Sequence, residues 1–247
     1  MDGHKDVAAI ILAAGEGTRM KSNIAKVLHK VCGKTMIRRV VETVSKIEPS
    51  RFVVVVGHQA ESVKAELEGE PVEFAVQARR LGTAHAVLST GPILKGFDGV
   101  IIVLNGDTPL LRAETLSGLI DHHVEQDAVV TVLTAVLDDP TGYGRIVRDT
   151  NGSLMKIIEE KDASEDEKKI SEINSGIFCF DGGEMFEALR KVDRKNAQGE
   201  YYLTDVVGIL KGEGKMVSAF RSDQKDEILG INTLDQLREA ERLMHCG

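Results

Sequence analysis

Apolar runs of strand length alternate with segments of helical period through the first half of the chain. The runs at 7–12, 52–56, 100–104 and 128–137 are rich in Val and Ile and continuous rather than alternating, the pattern of strands covered on both faces. Between the first two, MIRRVVETVSKI (36–47) sets Met36, Ile37, Val40, Val41, Val44 and Ile47 on one face of a helix. Strand, helix, strand at this spacing predicts a βαβ unit and a mostly parallel sheet. Further helices are expected over 59–67 and 113–123. After Pro140 the texture changes: GRIVRDTNGSLMKIIEE carries Asn151-Gly152 between two apolar stretches, a strong hairpin signal. ASEDEKKISE (163–172) predicts an exposed loop or short surface helix, INSGIFCF and KMVSAF predict strands, and Thr233-x-x-Gln236 has the capping-box spacing that opens a terminal helix, LDQLREAERLM. The expectation is one domain over 1–247, divided into 1–139, 140–230 and a C-terminal helix at 231–247.

Composition narrows what such a body could do. The 247 residues suffice for a sizeable core, and 42% hydrophobic with 28% charged residues is ordinary for a soluble globular chain. No apolar run is long enough to span a bilayer, no signal segment is expected before the first strand, and a cytoplasmic location follows as the simplest expectation. Cys32, Cys179 and Cys246 are odd in number and lack C-x-x-C spacing, which argues against a disulfide framework or a structural zinc site. A net charge of −8 argues against nucleic acid as a partner. A phosphorylated ligand would have to be met locally, by a few cations, backbone N–H groups or a metal ion.

The stretch VAAIILAAGEGTRM (7–20) is a strand breaking into a glycine-rich loop, an arrangement that brings backbone N–H groups close to phosphate oxygens. Gly15 and Gly17 are followed by Thr18 and Arg19 without the lysine-serine pair of a Walker loop, and Met20 stands where a dinucleotide loop needs its third glycine. A nicotinamide dehydrogenase is thereby disfavoured.

LAAGEGTRM with the following Lys26 instead resembles the signature of the sugar-1-phosphate nucleotidyltransferases. AKVLH (25–29), QARRLGTAHA (77–86), LNGDTPLL (104–111), DPTGYGRIV (139–147), IIEEKDA (157–163), INSGI (173–177), NAQGEYYLTD (196–205) and GINT (230–233) follow in order. Together they resemble the pyrophosphorylase domain of the bacterial bifunctional N-acetylglucosamine-1-phosphate uridyltransferase / glucosamine-1-phosphate acetyltransferase family, with NAQGEYYLTD specific to that branch. The resemblance implies an α/β Rossmann-like nucleotidyltransferase fold: a mixed, mostly parallel sheet flanked by helices, with a β-hairpin-rich sugar-binding part. It implies uridylyl transfer from UTP to N-acetylglucosamine 1-phosphate, giving pyrophosphate and UDP-N-acetylglucosamine, a cell-wall precursor.

Residue by residue, the resemblance assigns Leu12, Ala13, Ala14, Gly15, Gly17, Thr18, Gln77, Gly82, Thr83, Asn105 and Gly106 to the nucleotide, and Gly144, Glu159 and Asn174 to the sugar. It assigns Mg²⁺ to Asp107 and Asn232, and the catalytic charges to Arg19, Lys26 and Asp107. Carboxylate and amide oxygens suit this hard cation, and Asp107 follows a buried strand where open α/β sheets place ligands. Read alone, Asp107 could be a turn residue, Asn232 a helix cap and Glu159 a solvated hairpin end. Lys21 and Lys30 lie near the loop as solvated cations, His85 falls on a helix face without an assigned role, and Tyr201 and Tyr202 read as packing groups. Ala25, Glu16 and Ala84 depart from the usual proline, lysine and glycine. Trimerisation and acetyltransfer, which in that family belong to a following β-helix, are not carried over. Another nucleotidyltransferase of different base or sugar, and a catalytically silent nucleotide-sugar-binding module, stay open as alternatives.

Overall fold

The four continuous apolar runs form interior strands of one sheet, and the helical segments cover its two faces. The structure, a computed structural model, describes residues 6–20 and 22–244; Lys21 and Cys246 lie outside them. In chain order the elements are β1 (Val7–Ala13), β2 (Lys30–Val31), β3 (Lys34–Thr35), α1 (Met36–Ser45), β4 (Arg51–Val56), α2 (Ala60–Glu66), β5 (Glu73–Val76), α3 (Thr83–Leu88), β6 (Val100–Asn105) and α4 (Ala113–Glu125). Then come β7 (Val130–Val136), β8 (Arg145–Arg148), β9 (Leu154–Ile158), β10 (Glu172–Asp181), α5 (Gly182–Leu189), α6 (Asp205–Gly212), β11 (Val217–Arg221) and α7 (Leu234–Leu243).

The main sheet runs β11-β7-β10-β6-β1-β4-β5, with β8 and β9 attached through β10. β1 pairs parallel with β4 and β6, so Ile10 lies opposite both Val53 and Val103. β10 is antiparallel to β6 and β7. The sheet is thus mixed and mostly parallel, as expected, although a strand of the second half stands at its centre. Alternate β1 residues feed two cores: Ala8 and Ile10 face α3, α5 and α6, whereas Ala9, Ile11 and Ala13 face α1, α2 and α4. Both sides of the strand are therefore apolar, which accounts for its continuous hydrophobic run.

Thr35 caps α1 by accepting from Arg38 N–H, and Met36, Ile37, Val40, Val41 and Val44 are buried. Burying each such side chain stabilises the helix against the sheet by roughly 1.5–3 kcal/mol. Ile47 falls beyond the helix end. The hairpin at Asn151-Gly152 forms with a longer loop than a two-residue turn, because Asp149 Oδ1 accepts from both Asn151 N–H and Ser153 N–H, and Gly152 takes φ +82°. Segment 164–171 is a mostly exposed loop with a single 3₁₀ turn at Glu167–Lys169, and Glu172 already belongs to β10. Thr233 and Gln236 complete the capping box of α7. Cys32 is disulfide-bonded, and Cys179 is free and buried. Among the described residues no helix is long and apolar enough to cross a membrane.

Candidate active site

β1 delivers the chain into the loop at 14–17, beyond the C-terminal ends of the parallel strands where open α/β sheets bind ligands. Gly17 takes φ +67°, and a Cβ there would collide with Lys26 Cβ. The glycine therefore lets Lys26 stand directly behind the loop. Lys26 is placed by its own turn, which Gln59 anchors: Ala25 N–H donates to Gln59 Oε1 at 2.8 Å, and Gln59 Nε2 donates to the Asn23 carbonyl at 2.6 Å. Gln59 carries no sequence signal, and its left-handed φ of +52° is the local cost of this link.

Two clefts meet here. One, of about 520 Å³, is lined by Leu12, Ala13, Ala14, Gly15, Lys26, Gln77, Gly82, Thr83, Asn105 and Asp107, together with Arg80 and Glu200. The other, of about 340 Å³, is lined by Arg19, Gly144, Glu159, Asn174 and Asn232 and shares Leu12, Lys26, Thr83, Asn105 and Asp107 with the first. Two expected residues do not line either cleft: Gly17 backs Lys26, and the space beside the Gly106 α-carbon is filled by Ile37 and Val27. Thr18 begins the 3₁₀ turn of Arg19.

At the junction, Lys26 Nζ pairs with Asp107 Oδ2 and donates to Asn232 Oδ1 at 3.0 Å. Arg19 Nη2 donates to the same Asn232 oxygen at 2.7 Å. Asn232 is not the helix cap; Thr233 fills that role, leaving the Asn232 side chain free to face the cations. Asp107 is not a simple turn residue either: its carbonyl accepts from Ile231 N–H at 2.9 Å, which draws the C-terminal segment onto the end of β6. The buried Asp107 Oδ1 has no hydrogen-bond partner among the described residues. Gly230 leaves the space beside it open, since a Cβ there would lie 3.3 Å from that oxygen. An orphaned carboxylate oxygen next to an amide oxygen fits a hard divalent cation that completes its shell with water and phosphate. Among the described residues no cluster of three or more His, Cys, Asp or Glu could hold a metal alone.

The segment 81–84 is pinned to the 201–203 stretch. Tyr201 N–H donates to the Leu81 carbonyl at 2.8 Å, Ala84 N–H to the Tyr201 carbonyl at 2.9 Å, and Leu203 N–H to Thr83 Oγ1 at 2.9 Å. Gly82, at φ +112°, allows this approach, because a Cβ there would collide with the Tyr201 backbone. Gln77 Nε2 donates to the Gly82 carbonyl at 3.0 Å and lies 3.1 Å from His85 Nδ1. Glu16 pairs with Arg80 across the mouth of the cleft, and the guanidinium holds its carboxyl below the usual range. The glutamate at position 16 is thus paired with an arginine of the same cleft. Tyr202 packs as expected, its hydroxyl accepting from Gln198.

On the other side, a register shift in β10 between Asn174 and Phe178 turns Asn174 toward its cleft. Asn174 N–H donates to the Gly144 carbonyl at 2.9 Å, and its Oδ1 accepts from Gly176 N–H at 2.8 Å, so its amide nitrogen remains to be offered. Glu159 is not a solvated hairpin end: it accepts from Thr204 Oγ1 at 2.9 Å, and burial raises its pKa despite that bond. Behind it Arg145, 1% exposed, donates to the carbonyls of Tyr143 and Lys168. Glu160 Oε2 lies 2.8 Å from Arg145 Nη2 but off the donor direction, a Coulombic pair rather than a hydrogen bond. Arg145 and Thr204 were inside recognised motifs but had no reason to be singled out there.

The loop, the cation cluster beside an orphaned carboxylate, and the twin clefts at the strand ends define a protein that handles nucleoside triphosphates. Residues 9–170 match the MobA-like NTP transferase domain, and the chain belongs to that family. It is 54% identical over 236 residues to the bifunctional protein GlmU of Geobacillus thermodenitrificans, covering 96% of this chain and 51% of that protein. It is 52% identical to the proteins of the same name from Enterococcus faecalis and Bacillus subtilis, again over 96% of this chain and 52% of theirs. The chain thus spans about half the length of the curated relatives it matches.

Proposed function

We propose that the chain is a single nucleotidyltransferase domain that transfers a uridylyl group from UTP to N-acetylglucosamine 1-phosphate. In this reading residues 1–139 bind the nucleotide, 140–230 bind the sugar, and the C-terminal helix segment 231–247 brings in Asn232. The observation that carries it is the junction of two clefts at Lys26, Asp107 and Asn232. The larger cleft takes the nucleotide along the Gly15–Gly17 loop, with Gln77, Gly82 and Thr83 at the base. The smaller takes the sugar, with Glu159 accepting from hydroxyls, Asn174 near the acetamido group, and Gly144 allowing close backbone approach.

An ionised oxygen of the sugar phosphate attacks the α-phosphorus as the bond to the β-phosphate oxygen breaks, and pyrophosphate leaves in line. The nucleophile is already charged, so positioning and charge neutralisation suffice and no base is required. Asp107 and Asn232 would hold Mg²⁺, which would supply the positive charge that the reacting phosphates need. Lys26 and Arg19, which bond the Asp107 and Asn232 oxygens here, exchange those partners for phosphate oxygens and support the leaving group. Sharing a cation cluster between protein anions and ligand keeps it compact before substrate arrives.

The test is pyrophosphate release with Mg²⁺ across four nucleoside triphosphates and several sugar 1-phosphates, with Asp107→Ala as control. Release confined to UTP with N-acetylglucosamine 1-phosphate, and lost in the variant, is the expected result. Release with another pair reassigns the substrates, and no release from protein that still binds UDP-sugar favours a silent binding module.

A further inference from the structure

Gln77 is buried and its amide nitrogen is doubly committed, to the Gly82 carbonyl at 3.0 Å and to His85 Nδ1 at 3.1 Å. A carbonyl oxygen only accepts, so turning the amide over would set two oxygens face to face. The Gly82 carbonyl therefore fixes which end of the amide is nitrogen. The second amide hydrogen then meets Nδ1, which must present a lone pair; His85 is the Nε2–H tautomer. With both hydrogens used, Gln77 has only its carbonyl oxygen to offer the cleft that it lines.

We propose that His85 is a positioning residue for base selection: by accepting from Gln77 Nε2 it holds the amide so that an acceptor alone faces the base. The inference deepens the uridylyl-transfer reading and takes its ligand from it. An acceptor-only group pairs with a ring N–H, as in the imide of uracil or thymine or at N1 of guanine. It repels the ring lone pair that cytosine carries at N3 and adenine at N1. His85 does not line the cleft, so it acts through Gln77. Its ring is kept in place by Tyr201, with centroids 6.5 Å apart and planes 25° from parallel, and Arg194 lies 5.6 Å from the Tyr201 ring centroid. The backbone bonds between 81–84 and 201–203 hold that whole assembly at one spacing. Loss of the Nδ1 acceptor leaves one amide hydrogen without a partner and frees the amide to turn, which a rigid loop alone does not prevent.

The experiment compares UTP with CTP, as a ratio of kcat/KM in pyrophosphate release, for the parent chain, His85→Leu and His85→Asn. Leucine removes the acceptor, whereas asparagine returns a side-chain oxygen near the place of Nδ1. The ratio should fall about tenfold in His85→Leu, the worth of one neutral hydrogen bond. The loss should come through KM for UTP, with kcat little changed, and the ratio should recover most of the way in His85→Asn. An unchanged ratio in His85→Leu, or an equal fall in both variants, makes His85 a packing residue and overturns the proposal. If His85→Leu melts early, His85→Phe keeps a ring against Tyr201 and takes its place. Calorimetric binding of UTP and CTP to the same proteins needs no turnover. Preference for UTP that weakens in His85→Leu, without any pyrophosphate release, upholds His85 and sinks uridylyl transfer. Preference of the parent chain for CTP overturns the acceptor-only edge itself, whatever reaction follows.

Discussion

Lys26 and Arg145 are both cations beside a carboxylate, yet one stands inside its cleft and the other behind the wall of its own. Lys26 touches Asp107 and Asn232 at the junction where ligand phosphates are expected, and Arg19 joins it there. Arg145 lines neither cleft; it ties Tyr143 and Glu160, the sequence neighbours of Gly144 and Glu159, to the Lys168 carbonyl. Charges intended for a ligand are held in pairs that a ligand can replace, and charges that only shape a pocket are buried where nothing can. The two ends of the site should therefore respond to substitution in different currencies, rate at one end and stability at the other.

The largest effect belongs to the phosphate end. Lys26→Ala or Asp107→Ala should lower pyrophosphate release by on the order of 10²–10³ while circular dichroism stays that of the parent chain. Near-normal turnover in either variant would remove the residue from the chemistry. Arg145→Gln should instead cost about 1–3 kcal/mol, chiefly by taking donors from two carbonyls around a buried side chain, lowering Tm by a few degrees. Its KM for the sugar phosphate should rise more than its KM for UTP; an equal rise in both would mean that Arg145 serves the whole fold rather than one pocket.

How far this contrast could be read from sequence differs between its halves. The strands at 7–12 and 100–104 were legible because both faces of each are buried, and the α7 capping box because it is local. Lys26, Asp107 and Asn232 were legible through motifs, but not the reason for their company. That reason is long-range: the Asp107 carbonyl bonding Ile231 N–H, and Gln59 anchoring the Lys26 turn. β5, α5 and α6 were passed over, being short segments without a distinctive period. The antiparallel place of β10 was equally hidden, since a continuous apolar strand does not announce its direction.

Two smaller effects sharpen the comparison. Gly17→Ala forces a non-glycine residue into positive φ and a Cβ against Lys26. Backbone strain of that kind costs about 1–3 kcal/mol, so KM for UTP should rise roughly tenfold, and an unchanged KM would detach the loop from the nucleotide. Burial and the neighbouring Glu159, Asp193 and Asp162 push the Asp205 carboxyl up to about 6 from 3.8. A carboxyl with a raised folded pKa gives up its proton at a cost to stability. That cost is absent below the ordinary value and fully present above about 6. Relative to Asp205→Asn, the parent chain should lose a few degrees of Tm as pH rises from about 4 to 7. A pH-independent difference between the two would show that Asp205 titrates normally.

β10 stands between β6 and β7 in the central sheet although about 70 residues separate it from β6 in sequence. A cut near residue 140 would therefore not yield two working modules. The N-terminal piece would keep β6 and β7 with their facing edges bare, each a row of unanswered N–H and C=O groups open to any passing strand. Fragments made at the apparent boundary should precipitate when produced apart and dissolve only when mixed. The two halves of the chain are thus bound together by shared backbone rather than by a hinge, and swapping one for that of a related protein would require moving β10 with it.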